Sequence, residues 1–349
     1  MSNPLPYSDS VESIPDDEAG DIARMLEVLQ QQLAKQFEAT GQRLRGVHVK
    51  SHGCVQGEFQ VIPDLPAEFA QGLFAQPREY SVMVRFSNGA AGPRPDAAPD
   101  TRGLAIKVEN VTGARISGIE SDASQDFLMA NHATFFAKDA KAYRQFMEDG
   151  LRASEHPLKF AVELAARSWN PMRWPWPLLS SVARALTQVP LHPAASDYFS
   201  LTPIRYGDHV AKYRVLSTTP SLGSITHAAK VFATRKDAMR ALLLESLVKD
   251  DLTFDFQIQL RTSEASMPIE DATVYWPERD SPYRTVATLR LPRQNVAPAM
   301  TGEECQKRSF NVWNALELHR PLGGINRLRR AIYAASVTNR RPGTLPRIQ

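Results

Sequence analysis

Tyr80-Ser-Val-Met-Val-Arg-Phe-Ser-Asn88 and Asp100-Thr-Arg-Gly-Leu-Ala-Ile-Lys-Val108 are the two runs on which the reading of the fold turns. Both are rich in β-branched and aromatic residues, which suits strands. The Pro/Ala/Gly-rich loop between them, Gly89 to Pro99, is too short for a helical crossover, so the two strands should pair antiparallel. Ser124 to Phe136 reads as a further strand leading into a helix at Asp139 to Met147. Upstream, Arg45-Gly-Val-His-Val-Lys-Ser-His-Gly-Cys-Val-Gln-Gly-Glu-Phe-Gln-Val-Ile62 alternates like a strand, with Gly53 as a bulge or close-approach point. If that strand is regular, Arg45 and Val47 face one side while His48 and Lys50 face the other. Four strands within the first 136 residues imply an antiparallel sheet that curls.

Strand patterns resume at Ser200 to Tyr206, His209 to Ser217, Leu252 to Thr262 and Tyr283 to Leu291, with a helix from Lys236 to Lys249. Pro203 restricts the first of these to an edge or a bulge. From Asp16 to Ala39, the residues Ile22, Met25, Leu26, Val28, Leu29, Leu33 and Phe37 recur at helical spacing, and the helix should end before Gly41. Residues 1–15 read as a loose arm and residues 16–349 as a single domain. Residues 151–195 read as helix and loop, and Arg167 to Pro177 carries three tryptophans that serve a ligand cage or pack a connection over the sheet.

Near the C-terminus, Arg320-Pro-Leu-Gly-Gly-Ile-Asn-Arg-Leu-Arg-Arg-Ala-Ile-Tyr-Ala-Ala-Ser-Val-Thr-Asn-Arg-Arg341 breaks at Gly323-Gly324 and then holds good helix formers, with Asn326 as the N-cap. At roughly 100° per residue, Arg329, Tyr333 and Arg340 fall within about 40° of one another around the axis. A cation one turn from a phenol favours the phenolate, and a phenolate can ligate ferric iron. Two other readings compete: an acid-free, arginine-rich tail for nucleic acid or an anionic surface, and an interior tyrosine beside solvated arginines.

The chain has 349 residues, 43% of them hydrophobic, and can bury a large core. Lys and Arg outnumber Asp and Glu by 41 − 38 = 3, so bulk charge selects no partner. The only cysteines, Cys54 and Cys305, make no disulfide framework and fit a reducing, cytoplasmic compartment. The polar, acidic N-terminus lacks the features of a signal peptide, and no apolar run is long enough to span a membrane.

Six short motifs, in order, resemble haem catalases. They are Arg45-Gly-Val-His48, Arg85-Phe-Ser87, Asp100-Thr-Arg-Gly-Leu-Ala-Ile-Lys107, Asp126 to Phe136, Ser309-Phe-Asn-Val-Trp-Asn314 and Arg329-x-x-x-Tyr333. The resemblance covers most of the chain and selects the iron-ligand reading of Tyr333. It implies an α+β fold, an eight-stranded antiparallel β-barrel with flanking helices and a C-terminal helix carrying the ligand to haem b (iron protoporphyrin IX). Arg329 would keep Tyr333 ionised, His48 would be the acid–base group, and Ser87 would fix its tautomer. Arg45, Arg85 and Arg340 would pair with the propionates, while Val47, Phe135, Phe136 and Tyr143 would pack near the porphyrin. Asp100 matches a substrate-channel carboxylate.

Departures from the pattern narrow the group. Gapless alignment puts Ala130 where catalases have a distal asparagine, so Asn131 supplies that group only through a bulge. The chain stops 16 residues after Tyr333, which resembles the small catalase-related peroxidases that lack a C-terminal extension. The resemblance therefore implies a peroxidase that reduces organic hydroperoxides or hydrogen peroxide through a ferryl intermediate, with an unidentified electron donor. A true catalase, a hydroperoxide isomerase and a haem carrier or sensor are the alternatives. Expected partners are the peroxide, the donor and a second copy in a homodimer, with no nucleic acid and no membrane span.

Overall fold

The structure, a computed structural model, describes residues 3–116, 123–155 and 191–340. The tryptophan-bearing connection, Arg167 to Pro177, and the tail from residue 341 onward lie outside the described residues. Among the described residues nine strands form one antiparallel sheet: β1 (Ser51–Val61), β2 (Glu79–Asn88), β3 (Arg102–Val108), β4 (Gln125–Ala130), β5 (Tyr198–Phe199), β6 (Ile204–Tyr206), β7 (His209–Ser217), β8 (Leu252–Leu260) and β9 (Arg284–Leu291). Their order is β5-β4-β3-β2-β1-β9-β8-β7-β6, and β5 also pairs with β7. That pairing closes a ring of eight strands and leaves the three-residue β6 attached outside it. The eight-stranded barrel implied by the motifs is therefore present.

Period-two alternation decides what fills the barrel. Phe86, Leu104 and Met129, and in the next row Val84, Ile106 and Phe127, point inward to a core that includes Phe59, Phe254 and Phe256. Phe59, Phe74, Phe127, Tyr206, Tyr213 and Phe256 stack or meet edge-on across the lumen at centroid separations of 4.8–6.4 Å. The lumen is packed solid, so a ligand must sit on the outer face of the sheet.

Three helices, α1 (Glu18–Thr40), α2 (Ala140–Glu155) and a C-terminal helix, pack on one another, and the C-terminal helix faces the sheet across a cleft. Four further helices follow the sequence between these: α3 (Ile225–Thr234), α4 (Ala238–Lys249), α5 (Pro298–Thr301) and α6 (Glu303–Lys307); the C-terminal helix is α7 (Gly324–Arg340). Met25, Val28, Leu29 and Leu33 of α1 pack on Leu328 and Ile332 of α7, and Gly41 ends α1 in the left-handed conformation its sequence predicts.

Several expectations need correction. The first strand starts at Ser51 rather than Arg45, because residues 45–50 turn through His48 at φ 54°. Gly53 does mark an irregularity, where the β1–β2 register shifts. The strand expected to reach Phe136 ends at Ala130. Helix α7 starts at Gly324, and Asn326 lies inside its first turn rather than capping it. Glu12 and Glu270 accept from the backbone N–H groups of Gly323 and Gly324, while the buried Asn326 amide donates to Pro203 and Leu322 carbonyls.

Residues 3–15, expected as a loose arm, make specific contacts. The N–H of Leu5 donates to Arg261 O, that of Tyr7 to Asp208 O, and Arg327 on α7 pairs with Glu12, Glu18 and Glu270. The two cysteines, read as no disulfide framework, are joined: Cys54 on β1 and Cys305 on α6 form a disulfide across 251 positions of sequence. Their separation hid a contact that follows from the pairing of β1 with β9, which brings the chain after β9 onto β1. Among the described residues no helix is long and apolar enough to cross a membrane.

Candidate active site

The outer faces of β2, β3 and β4 present two lateral rows. Ser87, Gly103 and Ala130 are register partners in one, and Arg85, Ala105 and Leu128 in the other. Opposite them stands α7 with Arg329, Ile332, Tyr333, Ser336, Val337 and Arg340. Between lies a cleft, about 810 Å³ of atom-free space when its open mouth is counted. Arg45, Val47 and His48 from the turn before β1 complete the wall, together with Leu201 and Phe310.

His48 is held from three sides. Its Nδ1 lies 3.1 Å from Ser87 Oγ, its carbonyl accepts from Arg85 Nη2 at 2.8 Å, and its N–H donates to Gly89 O at 3.0 Å. The ring rests on Gly103, where an added Cβ would come within 2.5 Å of Nδ1 and 2.8 Å of Ser87 Oγ. Only glycine fits beneath this imidazole. Gly103→Ala is therefore expected to displace the ring while the strand still pairs, lowering by roughly 10²-fold the kcat/KM of any reaction in which His48 moves a proton. Steady-state kinetics beside a denaturation curve checks this; undiminished turnover would contradict it.

His48 reaches solvent only partly, and the protein packed around it, with Arg85, Arg329 and Arg45 adding repulsion, pushes its pKa down to about 3. Near neutral pH it is an uncharged base. Buried His192 and His319 are likewise pushed down to about 4, chiefly by burial. Because the unfolded chain protonates near pH 6.5 and the folded one does not, stability should be full above about pH 6.5 and fall on acidification toward pH 4. Each residue adds at most about 1.4 kcal/mol per pH unit. Urea midpoints of the ligand-free protein at pH 7 and pH 5 test the sign; a higher midpoint at pH 5 would refute it.

At the cleft edge, Arg45, Arg85 and Arg340 converge. Burial, then Arg85 and Arg340, lowers the Arg45 pKa well below the usual arginine range, and burial, then Arg340, pushes Arg85 down to about 9. Among the described residues neither Arg45 nor Arg85 meets a carboxylate, and the Nε of each is buried without a partner. Arg45 Nη2 donates to the carbonyls of Gln306 and Arg308, and Arg340 Nη1 to that of Gln306 at 2.8 Å. Buried, mutually repelling guanidinium groups with orphaned donors fit an anionic ligand bearing carboxylates.

Tyr333 faces the same cleft, and its hydroxyl makes no hydrogen bond to the described residues. Arg329, one turn earlier, is held by Thr202 Oγ1 at 3.1 Å and Asn326 Oδ1 at 3.2 Å. No cluster of three His, Cys, Asp or Glu side chains suits a metal among the described residues. A phenolate ligand to a metal carried in a macrocycle is compatible with that. The donors therefore fit haem.

Other placements differ from the sequence reading. Ala130, not Asn131, lines the cleft; Asn131 Oδ1 accepts from Arg102 N at 2.7 Å and is used up in ending β4. Phe135, Phe136 and Tyr143 form an aromatic cluster behind the wall, with the Phe135 and Phe136 centroids 4.5 Å apart and the Arg329 guanidinium over Phe135. Burial, then Tyr333, pushes the Tyr143 pKa up to about 12. Asp100 lies beside the cleft, its carboxylate accepting from Ala90 N–H. Sequence reasoning missed Leu201, Ile332, Ser336 and Val337; helical spacing from Arg329 would have found Ile332, and from Tyr333 the last two.

Comparison with known proteins agrees with this geometry. Residues 3–175 match a sequence model of the family described as Catalase. A 146-residue stretch is 27% identical to linolenate 9R-lipoxygenase of Nostoc sp. (strain PCC 7120 / SAG 25.82 / UTEX 2576), covering 39% of this chain and 18% of that protein. Among solved structures, a fungal catalase superposes with a TM-score of 0.67 at 16% identity, over 98% of this chain and 66% of its own. A bacterial catalase gives 0.62 at 18%, over 97% and 63%. Catalase A from Saccharomyces cerevisiae gives 0.65 at 17%, over 97% and 67%. The chain thus spans less than two thirds of the fungal and bacterial catalases and less than a fifth of the lipoxygenase.

Proposed function

We propose that this chain, whose residues 3–175 match the Catalase family model and whose fold is that of catalases, is a haem b-dependent peroxidase, reducing organic hydroperoxides or hydrogen peroxide at the expense of a separate electron donor. One observation carries the reading: a half-buried neutral imidazole and a phenol share a cleft whose rim holds the buried Arg45 and Arg85, neither of which meets a carboxylate among the described residues. In this reading Arg45, Arg85 and Arg340 would hold the propionates, and Tyr333, beside Arg329, would supply the iron's protein ligand. Haem, when bound, supplies ferric iron able to accept oxidation by a peroxide.

The chain's own residues then manage protons. His48 Nε2, uncharged near neutral pH, takes the proton from one peroxide oxygen and returns it to the other, so that water or alcohol leaves. Ser87 Oγ accepts from Nδ1–H and leaves Nε2 as the base. Ala130 and Leu128 make the adjoining wall apolar, which accommodates a substituent on the peroxide but offers no second hydrogen-bond donor. The match to a protein named linolenate 9R-lipoxygenase favours a fatty-acyl hydroperoxide among such substrates. A cytoplasmic location and a homodimer belong to the same reading.

The test compares cumene hydroperoxide and hydrogen peroxide with a chromogenic one-electron donor, while oxygen release is followed in parallel. Donor-dependent loss of the organic hydroperoxide supports the proposal. Oxygen evolution without donor consumption would make the protein a catalase instead, and epoxide or ketol products a hydroperoxide isomerase.

A further inference from the structure

Cys54 and Cys305 are 1% and 0% exposed and bonded to each other, packed with Met83, Met300 and Phe310. Cys305 belongs to α6, and the backbone around it is what the cleft-edge arginines grip. Arg45 Nη2 donates to the carbonyls of Cys305, Gln306 and Arg308; Arg340 Nη1 donates to that of Gln306. Gln306 Nε2 in turn donates to Val49 O, beside His48. Phe310 touches both the sulfur cluster and the cleft, so a single ring separates the cysteines from the ligand space. The five-residue α6 has little helix of its own to hold it in place. The disulfide ties it to the barrel.

We propose that Cys54 and Cys305 are a redox clasp, closed by the peroxide itself, that pins the segment holding Arg45 and Arg340 and thereby tightens the cleft on its anionic ligand. In the open form both are thiols. One thiol attacks the hydroperoxide: an S–O bond forms, the O–O bond breaks, and the thiol proton leaves with the departing alkoxide as alcohol. The second thiol then attacks the sulfenic sulfur, the S–S bond forms, and hydroxide departs with the remaining proton as water. Two thiols lose two electrons and the hydroperoxide gains two. Disulfides in reducing compartments are commonly of this transient, sensing kind, which reconciles the bond with a chain carrying only two cysteines. The ligand and the oxidant both come from the haem peroxidase reading, on which this proposal rests.

The test uses haem-loaded protein in three forms: oxidised, reduced anaerobically with a phosphine, and the Cys54→Ser, Cys305→Ser double variant. Haem release to excess apomyoglobin is followed by absorbance, and disulfide content by mass. Release from the reduced and variant forms should be about tenfold faster than from the oxidised form, within the ordinary range of coupling between sites. One equivalent of cumene hydroperoxide should restore slow release and the bond in the reduced wild type and leave the variant unchanged. Equal release from oxidised and reduced wild type, or thiols that survive the hydroperoxide, would overturn the clasp while leaving the haem reading intact. Failure of every form to load haem would instead overturn the haem reading, and the clasp with it.

Discussion

His48→Ala should lower kcat/KM for an organic hydroperoxide by about 10³-fold, the middle of the range for loss of a positioned acid–base group. The expectation follows from one ring being held uncharged in the cleft, with Ser87 on Nδ1 and no other titratable side chain among the residues of the facing sheet rows except Arg85. Haem content and the resting spectrum should be unchanged, because His48 is not among the residues assigned to grip the group. Ser87→Ala should cost less, since it loosens a tautomer without removing the base. A His48→Ala protein within a factor of about three of wild type would remove the acid–base assignment.

Asp126→Ala should destabilise the fold by about 3–5 kcal/mol, the usual result of leaving one partner of a buried ion pair behind. Asp126 is 1% exposed and its carboxylate accepts from Lys107 Nζ at 2.9 Å, Asn314 Nδ2 at 3.2 Å and the N–H of Asn311 at 2.8 Å. Those bonds fasten the segment around Trp313 to β4, and Trp313 Nε1 donates at 2.6 Å to Asn326 O on α7. Asp126 thus links the sheet wall, through Asn311 and Asn314, to the helix bearing Tyr333. Urea unfolding gives the measurement; a loss below about 1 kcal/mol would show that the pair contributes nothing net.

Strand positions were legible because inward rows such as Phe86–Leu104–Met129 impose alternation that survives in sequence. His48, Ser87, the arginines and Tyr333, all named from the short motifs, line one cleft. What escaped depended on backbone detail or distant contact. His48 sits at φ 54°, a conformation uncommon in non-glycine residues, so the alternation rule applied to residues 45–50 gave the wrong geometry. Asn131 and Ala130 differ by one step on a strand, and which faces the cleft depends on where β4 ends; the bond from Arg102 N decides it. Phe135, Phe136 and Tyr143 found one another rather than the cleft, a choice among aromatic partners that no spacing encodes. The Cys54–Cys305 bond required the pairing of β1 with β9 to bring together residues 251 positions apart.

The central claim is that an anionic porphyrin is gripped by Arg45, Arg85 and Arg340 with Tyr333 on its iron. Titration of the purified protein with hemin, followed by absorption spectroscopy for wild type and Tyr333→Phe, tests it most directly. Saturable one-to-one binding with a high-spin ferric tyrosinate spectrum, lost in Tyr333→Phe, is the predicted result. A wild-type protein that refuses hemin, or a spectrum identical in the two proteins, would contradict it.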